Sequence, residues 1–305
     1  MQKKRQLIGT LFLLTAAILW GASFVFQNEG VDILHPIAFN GIRSLVGSFA
    51  LLPLIFVMHL MTAKKGTRKK TTAKERKDMW LGGFCCGLAV CIAATLQTIG
   101  IEQGAGEAGF ITTIYIVFVP ILGIFLRQRI PHRVWIAVMM SAMGLYLLCG
   151  SFALNVNQIY LLLCAFFFAV HILVVDYFAP KVDGVKLSCI QFLVAGVLDC
   201  IMMLFIDVPT MAEVVECFWP NIAYAGFVSC SIAYTCQIVG QKYISPTLGA
   251  LLMSLESVFS VFFEWLLQGH LLAPKQLVGC LIIFCAVVLV QIPVKENGDK
   301  KVSSV

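Results

Sequence analysis

The sequence predicts an all-α membrane protein with ten transmembrane helices arranged as two inverted five-helix repeats (5+5) and with both termini cytoplasmic. Three observations carry this expectation: long apolar runs, a lopsided distribution of basic residues between them, and weak self-similarity at about half the chain length. Of 305 residues 60% are hydrophobic and 12% charged, and the mean hydropathy is +0.91. That leaves too little polar surface to cover a water-soluble particle, so lipid must serve as part of the solvent.

A spanning helix takes about 20 apolar residues at 1.5 Å rise each. Ten runs approach that length, at 7–26, 36–60, 79–99, 107–126, 134–149, 158–178, 187–206, 219–238, 247–267 and 274–292. They are continuous rather than alternating in polarity, which fits helices and not the short strands of a membrane barrel. The first run, behind Lys3, Lys4 and Arg5, imitates a signal peptide. It outlasts a signal core and has a counterpart later in the chain, so it is expected to stay as a helix.

The formal charge of +6 does not point to nucleic acid, because position matters more than sum. With the N-terminus inside, 20 of the 22 Lys and Arg residues fall in inside segments, eight of them within residues 64–77. Lys275 alone lies outside, and Arg43 sits within the second run. Cytoplasmic segments carry such an excess, and a missed or invented helix would scramble the alternation. The 64–77 segment is read as a topology determinant beside anionic lipid, with a specific docking site as the alternative. The twelve cysteines lie almost all in apolar runs without a Cys-x-x-Cys pair, as reduced packing residues would, and no metal site or cofactor is indicated.

Thr95, Gln97 and Gly100 in the third run recur as Thr235, Gln237 and Gly240 in the eighth, and Arg43 falls opposite Gln191 when Ala17 is set on Ala165. The pairing divides the chain into residues 1–152, residues 153–295 and a short cytoplasmic tail, 296–305. Five spans being odd, the second half enters the membrane inverted, an arrangement that lets a central site open alternately to each side.

At this point the residues resemble the drug/metabolite transporter (DMT) superfamily, specifically its ten-helix EamA-type members. Leu19-Trp20-Gly21-Ala22-Ser23-Phe24 is similar to the family's Trp-Gly-x-x-Phe pattern, and Pro36 and Arg43 follow where its second helix carries Pro and Arg. Residues 108–120, AGFITTIYIVFVP, resemble its fourth helix. Leu255-Glu256-Ser257-Val258-Phe259 resembles Glu-Pro-Val-Phe, with Ser257 for the usual Pro, and Gly269-His270 stands where Gly-Glu is common. Loss of that Pro is expected to leave the ninth helix straighter. The resemblance implies a metabolite carrier, often an exporter of amino acids or similar compounds.

A charge at the bilayer centre costs about 2.5–3.5 kcal/mol, so Arg43, His171, Asp199, Glu256 and Glu264 are candidates by position. Glu256, about ten residues into its run, lies nearest the midplane and is the proton-coupling candidate; the plainer reading is a protonated carboxyl bonding a neighbouring helix. Arg43 and Asp199 are equivalent in depth and are read as structural or charge candidates, either paired or with Arg43 anchoring helix-end carbonyls. Glu264 lies nearer the outer surface, where hydration would suffice, and Ser257, Ser260 and Glu264 form a stripe that could equally serve packing. His171 could relay protons or simply bond a carbonyl. For a cavity lining the resemblance implies Trp20, Gln97, Thr112, Tyr115, His171, Tyr234, Gln237 and Glu256, an apolar wall with a few hydrogen-bonding groups suited to an amphiphilic organic solute.

The expected function is therefore a secondary active transporter of a small organic metabolite across the inner or plasma membrane by alternating access, outward and proton-coupled. The partners are that metabolite and membrane lipid; Gly83 and Gly87 would suit either a homodimer or internal packing. No nucleotide-binding loop, His-Glu-x-x-His pair or Gly-x-Ser-x-Gly elbow occurs. A non-transporting scaffold or sensor is the alternative, and an intramembrane enzyme a more distant one.

Overall fold

A computed structural model of the chain describes residues 2–64, 72–101, 104–127, 130–149, 155–270 and 273–291. Residues 65–71 of the basic 64–77 segment, Arg129, the 152/153 division and the tail 296–305 lie outside the described residues. The described chain is helical, with no strand: α1 Gln2–Val31, α2 Pro36–Lys64, α3 Ala73–Gly100, α4 Ala105–Thr112, α5 Tyr115–Phe125, α6 His132–Cys149, α7 Val156–Phe178, α8 Gly184–Ile206, α9 Met211–Cys217, α10 Tyr234–Gln241, α11 Pro246–Met253, α12 Leu255–Gln268 and α13 Pro274–Gln291. Two π-helical stretches, Phe218–Ile222 and Tyr224–Ala233, join α9 to α10.

The helices begin where side chains can satisfy the first backbone N–H groups. Thr72 with Glu75 caps α3, Asn155 with Gln158 caps α7, and Thr210 with Glu213 caps α9, each as a reciprocal pair. Asp183 caps α8, and Pro246 opens α11 at a position that needs no donor. Gly269, at φ 73, ends α12 in the left-handed conformation that glycine adopts without strain.

Seven helical segments are long and apolar enough to cross a membrane, and an eighth if the bent α9–α10 segment is one span. The remaining two expected spans, α6 and α13, pack on each other and each ends against residues outside the described set. The 46° bend between α9 and α10 lies near Pro220. Trp219, immediately before that proline, leaves the helical region at φ −116, ψ 126.

The packing respects exchange of the two halves. α2 lies against α8, α6 against α13, and α4 against α12. α3 against α7 is mirrored by α1 against the bent segment that ends in α10, and α5 against α7 by α1 against α12. Close approach rests on glycine: a Cβ on Gly83 would fall 2.3 Å from Ile190 Cγ2, and one on Gly87 2.7 Å from the Gln191 carbonyl. The Gly83/Gly87 stripe is thus buried against α8, inside the chain. The ten cysteines whose side chains are described are all free.

The ninth run, Pro246–Gln268, passes as one span without the usual proline, with only a local break in its helix. α11 and α12 are separated by a tight turn at Ser254, whose hydroxyl donates to Leu251 O at 2.9 Å; Ser257 and Ser260 donate in the same way to Ser254 O and Ser257 O at 2.7 and 2.8 Å. Serines bonding back to carbonyls of the preceding turn compete with the helix ladder, which accounts for the local break at Ser254. α4 and α5 are broken alike at Thr113 and Ile114, with Thr113 Oγ1 donating to Phe110 O at 2.8 Å. Ile114 and Ser254 are 140 residues apart, the same spacing as Thr95 and Thr235.

Candidate functional site

Both breaks border one cavity between the halves. Trp20, Phe24 and Gln27 of α1, Arg43 of α2, Gln97 of α3 and Tyr115 of α5 face Phe168 and Ile172 of α7, Ser229 of the π-helical stretch, Tyr234 and Gln237 of α10, Met253 of α11 and Glu256 of α12. The cavity encloses about 40 Å³, room for a few waters at about 10–15 Å³ each. It is a narrow slot lined by both halves.

Of the expected lining, Trp20, Gln97, Tyr115, Tyr234, Gln237 and Glu256 are brought together, and Arg43 joins them. Thr112 stands behind the wall, where its hydroxyl accepts from Gln97 Nε2 at 3.3 Å and so orients that amide. His171 also lies outside the cavity: its Nε2 meets Gln191 Oε1 at 3.1 Å and its ring packs edge-on to Tyr234, centroids 5.8 Å apart. Trp20 and Phe192 close on the same tyrosine at 4.7 and 4.9 Å, so Tyr234 is held by rings on three other helices.

Arg43 and Glu256 are 5% and 4% exposed, yet each still reaches the cavity surface. Arg43 Nε donates to Asn40 Oδ1 at 2.7 Å, and Asn40 Nδ2 in turn donates to Thr98 Oγ1 at 2.6 Å, which ties the guanidinium to α3. Among the described residues neither helix-end carbonyls nor an Asp199 ion pair holds it. Asp199 faces α3 instead, where its Oδ1 accepts from Thr95 Oγ1 at 3.0 Å and Cys91 Sγ at 3.3 Å. The two groups interact electrostatically but form no salt bridge, because their side chains leave α2 and α8 toward different neighbours.

Glu256 lies beside the Tyr115 hydroxyl closely enough to interact, although that hydroxyl makes no hydrogen bond of ordinary geometry. Three further lining groups have no partner among the described residues: Trp20 Nε1, Gln27 Oε1 and Gln237 Oε1. Leaving a buried polar group unpaired costs about 1–3 kcal/mol, and water or a polar solute in the slot would satisfy these groups.

Glu264 is not simply hydrated. Its Oε2 accepts from the Gly106 amide at 3.0 Å and its Oε1 lies 3.4 Å from His270 Nδ1, so it fastens the start of α4 to α12. Ser260 packs where a Cβ on Gly109 would fall 2.4 Å from its hydroxyl, so the serine stripe serves close packing. Phe24, Gln27, Phe168, Ile172, Ser229 and Met253 were not among the expected lining. A helical stripe could have found two of them, since Trp20, Phe24 and Gln27 follow i, i+4, i+7.

Comparison with known proteins agrees with this architecture. A profile of the EamA-like transporter family matches residues 7–150 and 157–292. An uncharacterized transporter of Archaeoglobus fulgidus is 27% identical over 292 residues, 95% of this chain and 88% of its own length. The uncharacterized transporter YoaV of Bacillus subtilis is 19% identical over 287 residues, 91% of this chain and 94% of its own. A solved crystal structure at 17% identity superposes with a TM-score of 0.68, covering 92% of this chain and 96% of that one, a likeness of fold. With the profile matched once in each half and the apolar helices packed as exchangeable pairs, the chain belongs to the EamA-like transporter family and is a multi-pass membrane protein.

Proposed function

We propose that this protein is a secondary active transporter that moves a small organic amphiphile, such as an amino acid, across the inner or plasma membrane by alternating access. Ten spans cross the bilayer, with α6 and α13 as the fifth and tenth, both termini are cytoplasmic, and the halves 1–152 and 153–295 lie inverted. The distribution of Lys and Arg supports that orientation.

The observation that carries the reading is a single cavity between the halves, lined by a guanidinium, a carboxyl and unpaired hydrogen-bonding groups among aromatic rings. Arg43 can take a carboxylate, Glu256 an ammonium, and Trp20, Phe24, Phe168 and Tyr234 an apolar body. At about 40 Å³ the slot must widen to admit such a solute. The tight turns at Thr113–Ile114 and Ser254 lie where α5 and α12 could swing against α4 and α11. Movement is outward, with a proton exchanged at Glu256.

Flux into proteoliposomes under either sign of pH gradient tests the reading. Metabolite crossing should accelerate with the protein present, and Glu256→Gln, which keeps shape and removes titration, should abolish the response to the gradient. Flux no faster than in empty vesicles sinks the transporter; unchanged pH dependence in Glu256→Gln sinks the coupling.

A further inference from the structure

Two cavities adjoin at the end of the bundle where α3 and α8 begin. One, of about 490 Å³, is lined by Arg76, Lys181, Lys186 and Lys242 together with Glu75 and Asp183. The other, of about 470 Å³, runs between α3, α5 and α7 and is lined almost wholly by carbon, among others from Leu122, Phe125, Leu173 and Phe178. Lys181 joins them: its Nζ sits 2.9 Å from the ring centroid of Tyr177, a wall of the apolar slot, while the residue itself lines the basic cavity. On α3, Met79 lines the first and Cys85 the second, six residues or about 9 Å along the helix.

The carboxylates in the basic cavity are already engaged. Glu75 Oε2 accepts from Thr72 N at 2.8 Å, and Asp183 Oδ1 accepts from Val185 N and Lys186 N at 3.0 and 3.1 Å, each as part of a helix cap. Among the described residues Arg76, Lys181 and Lys186 form no salt bridge. Lys242 donates to Val182 O at 2.9 Å, and burial holds its pKa below the usual ammonium value against the pull of Asp183. Arg76 and Lys186 stand in the first turns of α3 and α8 and Lys181 just before α8, so the cavity holds four basic residues against two carboxylates and is positive on balance beside two helix N-termini.

We propose that the paired cavities form one site for an anionic glycerophospholipid of the cytoplasmic leaflet, its phosphate among Arg76, Lys181 and Lys186 and an acyl chain in the apolar slot. A free phosphate would satisfy the basic half alone; the carbon-lined slot of similar size beyond Lys181, whose ammonium lies on the Tyr177 ring, favours a ligand that is anionic at one end and hydrocarbon at the other. The site rests on the orientation proposed above, which puts this end of the bundle at the inner leaflet. It sharpens the role of the basic segments from charge bias to a defined pocket.

The test is titration of the delipidated full chain in detergent with phosphatidylglycerol, phosphatidylcholine and inorganic phosphate, read by native mass spectrometry. Phosphatidylglycerol should bind and survive activation, phosphatidylcholine should not, and millimolar inorganic phosphate should leave the bound lipid in place. The triple variant Arg76→Gln, Lys181→Gln, Lys186→Gln should bind phosphatidylglycerol on the order of 100-fold more weakly, each surface charge counting for about fivefold. It should keep the wild-type unfolding temperature measured without lipid. Should the variant unfold early, Leu173→Trp, which fills the slot, provides the second arm and should also weaken binding. Equal retention of both lipids, displacement by inorganic phosphate, or undiminished binding in whichever variant folds would overturn the site. Binding is read in detergent, so a chain that transports but holds no phosphatidylglycerol refutes the lipid site alone.

Discussion

Gly21 stands where α1 and α12 come closest, beside Trp20 and a turn from Glu256. A Cβ added there would lie 2.3 Å from Phe259 Cβ, 2.7 Å from Phe259 C and 2.9 Å from Ser260 N. These are backbone and β-carbon atoms that cannot rotate away, so restoring a 3.4 Å contact requires the two helices to part by roughly 1 Å. Overpacking of this kind costs about 1–3 kcal/mol. Gly249 of α11 is the matched control: its added Cβ would meet only Leu13 Cδ1 at 3.6 Å and Gln241 Cγ at 3.9 Å, which is ordinary contact. There alanine gains up to about 1 kcal/mol of helix propensity. Thermal unfolding in detergent, followed by tryptophan fluorescence, should show Gly21→Ala melting several degrees below wild type and Gly249→Ala at or above it. Equal melting temperatures for the two variants would refute the claim that backbone proximity at Gly21 seats α12 against α1.

Asp199 faces α3 rather than the cavity, so it should matter for stability and little for flux. Asp199→Ala removes the acceptor for Thr95 and Cys91 and should cost about 1–3 kcal/mol; Asp199→Asn, which keeps an acceptor, should cost less, and both should transport once corrected for folded protein. Loss of transport in a folded Asp199→Asn would return that residue to the functional site. At the start of α4, Glu264→Ala removes the acceptor for the Gly106 amide and should cost about 0.5–2 kcal/mol, as a lost helix cap does. Hydrogen exchange should then quicken at Gly106 and spare the amides of α8.

The membrane class and two-repeat plan were legible because both come from summed local properties. Ten apolar runs and the side on which twenty basic residues fall need no knowledge of which helix touches which. The repeat was visible in Thr95, Gln97 and Gly100 against Thr235, Gln237 and Gly240, and the helix breaks recur at that same spacing. The local break at Ser254 could not be foreseen from the missing proline, because Ser254 and Ser257 make it through their own hydroxyls, which bond back to the preceding turn.

Residue types and spacings alone thus determined that this protein is a helical membrane protein in two related halves, and drew attention to Glu256 and Arg43. Only the tertiary structure decided that Arg43 lines the slot with Glu256, that Asp199 and Glu264 turn to other neighbours, and that His171 packs behind Tyr234. The reason is geometric. Hydropathy and charge survive any rotation of a helix about its axis, whereas lining a cavity depends on a fraction of a turn, set by where glycines such as Gly21 and Gly83 let two backbones meet.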